Sequence, residues 1–88
     1  MIRRRVVVHG LVQGVFFRDT VRRHALGTGV AGWVRNNRDG TVEAVFEGEE
    51  TEVERLVTLC RKGPRGARVD RVEVLEELPE AVTGFSVR

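Results

Sequence analysis

Val30-Ala31-Gly32-Trp33-Val34-Arg35-Asn36-Asn37-Arg38-Asp39-Gly40-Thr41-Val42-Glu43-Ala44-Val45-Phe46-Glu47 reads as two strands joined by a tight turn. Val30 to Asn36 and Thr41 to Glu47 are the strands. Asn37-Arg38-Asp39-Gly40 supplies the turn, and Asp-Gly is a strong hairpin signal. In the second strand Val42, Ala44 and Phe46 fall on one face, with Glu43 and Glu47 on the other. Glu43 is therefore expected to be an exposed sheet residue.

A helical segment flanks this hairpin on each side. Before it, Phe17, Val21 and Ala25 form one stripe between about Phe17 and Leu26. Asp19 falls in the first turn, where the helix dipole favours an acid, and Gly27 and Gly29 end the segment. After the hairpin, Thr51 with Glu54 reads as a capping box. Val53, Leu56, Val57 and Cys60 then follow the i, i+3, i+4, i+7 spacing of a buried stripe, closed by Gly63-Pro64. Outside the helices lie the strand Arg3 to His9, with Val6 and Val8 on one face, and the strand Val69 to Leu75. Phe85 to Val87 reads as a short fifth strand at an edge. The order is β-α-β-β-α-β. It predicts an α+β, ferredoxin-like sandwich with two helices packed on one antiparallel sheet of four or five strands.

A chain of 88 residues is expected to form one domain, 1–88, with no second domain. Its 41% hydrophobic and 32% charged residues are an ordinary globular balance. Fifteen basic and 13 acidic residues leave a net charge of +2, which argues weakly for nucleic acid and suits a small anionic substrate. The lone cysteine, Cys60, excludes an internal disulfide and any multi-cysteine metal site. No apolar run approaches the roughly 18 residues of a membrane span, and the N-terminus reads as a strand rather than a secretory signal. The expectation is a cytoplasmic monomer with no membrane and no nucleic-acid partner.

The topology gathers residues that are distant in sequence. A right-handed β-α-β crossover makes the first two strands parallel, even with another strand between them. The loop after the first strand, the N-terminus of the first helix and the end of the second strand then share one edge. Gly10 to Val15, Arg18 and Asn36 should cluster there. Two glycines bracketing a short loop let consecutive backbone N–H groups point inward, as anion-binding nests do. The helix N-terminus adds orphan donors, and Arg18 a planar fork that fits phosphate oxygens. Asn36 offers a donor and an acceptor, as positioning a water requires. Phosphoryl transfer depends chiefly on placement and charge stabilisation, so the lack of a strong base is no obstacle. The loop is not a Walker A motif, since no Gly-Lys-Ser/Thr follows.

Val8-His9-Gly10-Leu11-Val12-Gln13-Gly14-Val15-Phe16-Phe17-Arg18 closely resembles the first acylphosphatase signature, whose usual form is Gly-Arg-Val-Gln-Gly-Val-x-Phe-Arg. Gly32-Trp33-Val34-Arg35-Asn36, followed by Asp39-Gly40-Thr41-Val42-Glu43, resembles the second, in the right order and separation. The resemblance implies hydrolysis of acyl phosphates to carboxylate and orthophosphate, and a loop that cradles the phosphoryl group should make orthophosphate an inhibitor as well. It implies neither a metal nor a cofactor nor a phosphoenzyme. By this resemblance Arg18 and Asn36 are catalytic, and the loop amides of Leu11, Val12, Gln13, Gly14 and Val15 bind the phosphate together with Arg18. Leu11 stands where the family often has arginine, and Asn37 where several relatives have a hydroxyl residue.

Other residues read more plainly. His24 is expected at the surface, His9 pointing away from the loop, Cys60 in the core, Arg22 and Arg23 on a solvated face, and Trp33 in packing. The competing function is a binding module of the same fold that holds a phosphorylated ligand without turnover. An RNA-binding module would need paired aromatic residues on central strands, which four phenylalanines and one tryptophan do not supply here. A copper carrier would need two cysteines.

Overall fold

The hairpin of residues 30–47 lies inside a five-stranded sheet. The computed structural model describes residues 1–88. In chain order the elements are β1 (Ile2–Leu11), α1 (Phe17–Ala25), β2 (Ala31–Asn36), β3 (Val42–Gly48), α2 (Glu50–Lys62), β4 (Arg68–Glu77) and β5 (Phe85–Val87). The strands are ordered β4-β1-β3-β2-β5. Central β3 runs antiparallel to both β1 and β2. Hence β1 and β2 are parallel to each other with β3 between them, the arrangement a β-α-β crossover requires.

One face of the sheet carries the core. Val6, Val8, Val34, Val42, Ala44 and Phe46 meet Phe17, Val21 and Ala25 of α1 and Val53, Leu56, Val57 and Cys60 of α2. Burying each of the larger side chains contributes on the order of 1.5–3 kcal/mol. Cys60 is fully buried there, and burial pushes its thiol pKa up to about 12.

The opposite face is a net of charges. Arg3 bonds Glu47 at 3.1 Å and Glu77 at 3.0 Å, and Arg5 bonds Glu77 at 2.6 Å and also Glu43. Arg35 reaches Glu43 at 3.1 Å. Glu43 is thus buried rather than exposed, because its strand is central and the arginines of neighbouring strands close over it. Burial works to raise its pKa, but hydrogen bonds from Asn37, Arg5 and Arg35 outweigh burial and hold it below the usual carboxylate range. Trp33 packs on this face, beneath guanidinium groups. Those of Arg88, Arg35 and Arg5 lie 4.7, 4.8 and 5.5 Å from its ring centre.

Three local details differ from the sequence reading. β1 continues through Gly10 and Leu11, with a register shift between His9 and Gly10. Gly10 has φ 135°, and a Cβ there would lie 2.0 Å from the Arg68 carbonyl oxygen, so the bulge requires glycine. In α2 the N-cap is Glu49, without a side-chain cap bond. Thr51 therefore lies within the first turn, and the expected Thr51–Glu54 box does not form. Finally, β5 pairs with β2 in parallel, so the sheet is mixed. The end of β4 and the start of β2 lie at one end of the sheet, since Arg3 pairs with both Glu77 and Glu47, and Glu47 with Ala31. The chain crosses that end and enters β5 running the same way as β2.

Candidate active site

The segment between β1 and α1 has a distinctive backbone. Gly14 (φ 75°) and Phe16 (φ 59°) have positive φ, whereas Gln13, Val15 and Phe17 between and beside them do not. Such alternation turns successive N–H groups toward one side, which is the geometry of an anion nest. No backbone N–H from Val12 to Val15 donates to a protein acceptor. The first helical bond of α1 is Thr20 N–H to the Phe16 carbonyl at 3.0 Å, so the amides at its N-terminus are also free of backbone acceptors.

Each loop side chain has a separate task. Val12 is buried and anchors the loop in the core. Val15 is half-buried against the same core. Leu11 projects outward and is 60% exposed. The amide nitrogen of Gln13 donates to the carbonyl oxygens of Asn37 at 2.7 Å and Thr41 at 3.0 Å. It thereby ties the loop to the β2–β3 turn. Asp39 caps that turn from inside, accepting from Thr41 N–H at 3.0 Å and from the Thr41 hydroxyl at 2.6 Å.

Arg18, in the first turn of α1, is half-buried. Its Nη1 donates to the Arg88 carbonyl oxygen at 3.1 Å. Arg88 is itself held by its N–H to the Val34 carbonyl at 2.8 Å. The parallel β5 thus supplies a fixed point for the guanidinium. Asn36 closes β2. None of the side-chain hydrogen bonds involves Asn36, whereas the Asn37 amide is taken up by Arg35 at 3.1 Å, Thr41 at 3.0 Å and Glu43 at 3.1 Å. Asn37 is a structural lock of the turn, and the neighbouring asparagine is the one with free polar atoms.

Val12, Gly14, Arg18 and Asn36 line one cavity of about 390 Å³, together with Phe16, Phe17, Asp19 and Val87. Leu11, Gln13 and Val15 do not line it. The Asp19 carboxylate is engaged by Arg23 at 3.0 Å. Phe16 and Val87 escaped the sequence reading. Phe16 lies inside the quoted motif, at its variable position, but its exposure depends on the left-handed backbone there. Val87 reaches the cavity only through the parallel pairing of β5, which no local pattern encodes. The two histidines stand apart. His9 faces Glu73 at 3.1 Å, and His24 Nδ1 lies 2.8 Å from the Thr20 carbonyl oxygen on the exposed side of α1. No group of three or more His, Cys, Asp or Glu side chains is arranged to hold a metal ion. No helix is long and apolar enough to cross a membrane.

The acylphosphatase family model matches residues 4–87. The chain is 58% identical over 85 residues to an acylphosphatase of Rubrobacter xylanophilus, covering 96% of this chain and 77% of that one. It is 54% identical over 86 residues to an acylphosphatase of Gloeobacter violaceus, covering 98% and 92% respectively. Its backbone superposes on the crystal structure of the acylphosphatase from Bacillus subtilis with a TM-score of 0.94 at 36% identity, covering 100% of this chain and 99% of that one. With sequence and backbone agreeing almost from end to end, the chain belongs to the acylphosphatase family.

Proposed function

We propose that the chain hydrolyses the carboxyl–phosphate anhydride of small acyl phosphates by direct attack of one water on phosphorus. The observation that carries this reading is the run of N–H groups without protein acceptors, Val12 to Val15, beside a cavity that Arg18 and Asn36 also line. In this reading the amides and the Arg18 fork take the charge on the non-bridging phosphoryl oxygens. The free amide of Asn36 orients the water in line with the scissile bond. The P–O bond to the acyl group breaks, and its electron pair leaves on the carboxylate. The water oxygen keeps one proton and passes the other to a phosphoryl oxygen, giving carboxylate and dihydrogen phosphate. Carboxylate is a good leaving group, so no strong base is required. In this reading charge compensation comes from Arg18 and the backbone, and the chelation test below decides whether a metal takes part.

The same reading makes orthophosphate a competitive inhibitor as well as a product. The charged net that covers the second face of the sheet leaves no apolar face there in need of a partner, which supports a monomer. The free, buried Cys60 fits a reducing, cytoplasmic setting. The test is hydrolysis of benzoyl and acetyl phosphate, with phosphate monoesters as controls, before and after exhaustive chelation. Acyl phosphates should be cleaved at an unchanged rate after chelation, and monoesters far more slowly. A rate that collapses with chelator and returns with magnesium or zinc contradicts the mechanism. Phosphate binding without turnover of either acyl phosphate establishes a binding module instead.

A further inference from the structure

We propose that Phe16 is a specificity-determining residue, its ring forming an apolar shelf at the cavity rim that favours acyl phosphates with a flat, apolar acyl group. The inference rests on the hydrolytic reading above and adds to it the class of acyl group.

Two adjacent phenylalanines are treated in opposite ways by the fold. Phe17 is 2% exposed and belongs to the core, whereas Phe16 is 80% exposed. Single exposed apolar residues are ordinary, but Phe16 carries a second cost. Its backbone is left-handed, with φ 59° and ψ 26°. That conformation costs an L-residue with a bulky side chain, and glycine or asparagine would adopt it more readily. The ring takes part neither in the aromatic stacking pair, Phe46 with Phe85, nor in the cation–π contacts, which all involve Trp33. Strained residues of this kind collect at functional sites.

The cavity explains what the ring is placed to meet. Its lining is mixed: Arg18, Asp19 and Asn36 are polar, and Phe16, Phe17, Val12 and Val87 are apolar. An acyl phosphate has the same two-part character. With the phosphoryl group at the Val12–Val15 amides, the residue directly after them in the chain is Phe16. A planar acyl group has a face to stack on that ring, and a methyl group has almost none.

The experiment compares kcat/KM for benzoyl phosphate and acetyl phosphate in the parent, Phe16→Asn and Phe16→Trp. Asparagine keeps the left-handed backbone and removes the aromatic face, while tryptophan preserves that face. The benzoyl-to-acetyl ratio should fall about 3- to 10-fold in Phe16→Asn, the size of one aromatic contact. The fall should come mainly from KM for benzoyl phosphate, and the ratio should be restored in Phe16→Trp. Inorganic phosphate, which has no acyl group, should inhibit all three proteins alike. A ratio that stays within twofold in Phe16→Asn overturns the inference, as does a parallel loss on both substrates. Failure of the parent to hydrolyse either substrate overturns the hydrolytic reading itself, and this inference with it.

Discussion

The side-chain amide of Gln13 donates to the carbonyl oxygen of Asn37 at 2.7 Å, joining the loop after β1 to the turn that follows Asn36. The same nitrogen reaches the Thr41 carbonyl at 3.0 Å. Those two carbonyls also close the turn itself, accepting from Gly40 N–H at 3.2 Å and Asn37 N–H at 2.8 Å. Loop and turn are therefore one body, and the spacing between the loop amides and Asn36 is set by this clamp.

Gln13→Glu removes both donors and sets a carboxylate against two carbonyl oxygens. Its kcat should fall on the order of 10-fold, and by no more than about 10²-fold, the cost of misplacing a reacting group. Gln13→Lys, which restores donors on a flexible stem, should recover part of the loss. Added to Asn36→Ala, Gln13→Glu should cost little more, because the clamp acts through Asn36. Steady-state kinetics of the single and double variants decide this. Losses that multiply would make Gln13 independent of Asn36.

Gly14 lies at φ 75° in open space, where a Cβ would meet nothing within 4 Å. Substitution there acts through the backbone alone. Gly14→Val should weaken phosphate inhibition strongly and destabilise the fold by about 1–2 kcal/mol, the left-handed penalty. Gly14→Asn, which tolerates this region, should be much milder. Leu11→Ala, at an exposed side chain, should change inhibition little. Inhibition constants for phosphate, alongside thermal melts, separate the three variants. A fully active Gly14→Val would show the nest to be misplaced.

Glu43 links β1, β2 and the turn through Arg5, Arg35 and Asn37. Hydrogen bonds from Arg5 and Arg3 likewise lower Glu77, and the backbone N–H of Glu80 is the leading cause for Glu47. Each carboxylate takes up its proton less readily in the folded state than in the unfolded one. Their contribution is therefore complete above the unfolded range near pH 4.3 and drains away as pH falls through the lower folded values. Tm should be level from pH 7 to about 5 and then decline. Glu43→Gln should lower stability at pH 7 by about 1–3 kcal/mol, because partly buried arginines lose an ionised partner. Its acid-side decline should be shallower. Melts from pH 7 to 3 test both statements, and parallel acid limbs would contradict the second.

The two helical stripes were legible because each keeps its spacing over about two turns, and the hairpin because Asp39-Gly40 separates two β-rich runs. The expected gathering of Gly10–Val15, Arg18 and Asn36 followed from strand direction alone; of these, Val12, Gly14, Arg18 and Asn36 line one cavity, whereas Leu11, Gln13 and Val15 do not. The misses share a cause. Glu43 looks solvent-facing in its own strand, and only the registers of β1 and β2 bring arginines over it. The Gln13 clamp depends on the distance between two loops, and the role of Val87 depends on the parallel entry of β5. Thr51 matched a capping pattern, but the helix begins at Glu50 with Glu49 as its N-cap, so the pattern starts two residues past the cap.

The division of labour between Arg18 and Asn36 is the core of the proposed mechanism. Arg18 is assigned to the phosphoryl group in both ground and transition states, so Arg18→Ala should weaken phosphate inhibition and lower kcat together. Arg18→Lys should remain poor, since a point charge cannot reproduce the guanidinium fork. Asn36 is assigned to the water alone. The most direct measurement is kcat for an acyl phosphate and the inhibition constant for orthophosphate, determined side by side in the parent and in Asn36→Ala. The account predicts a loss of at least about 10²-fold in kcat, roughly 3 kcal/mol, with the inhibition constant within about twofold of the parent. An Asn36→Ala protein that turns over like the parent would contradict it.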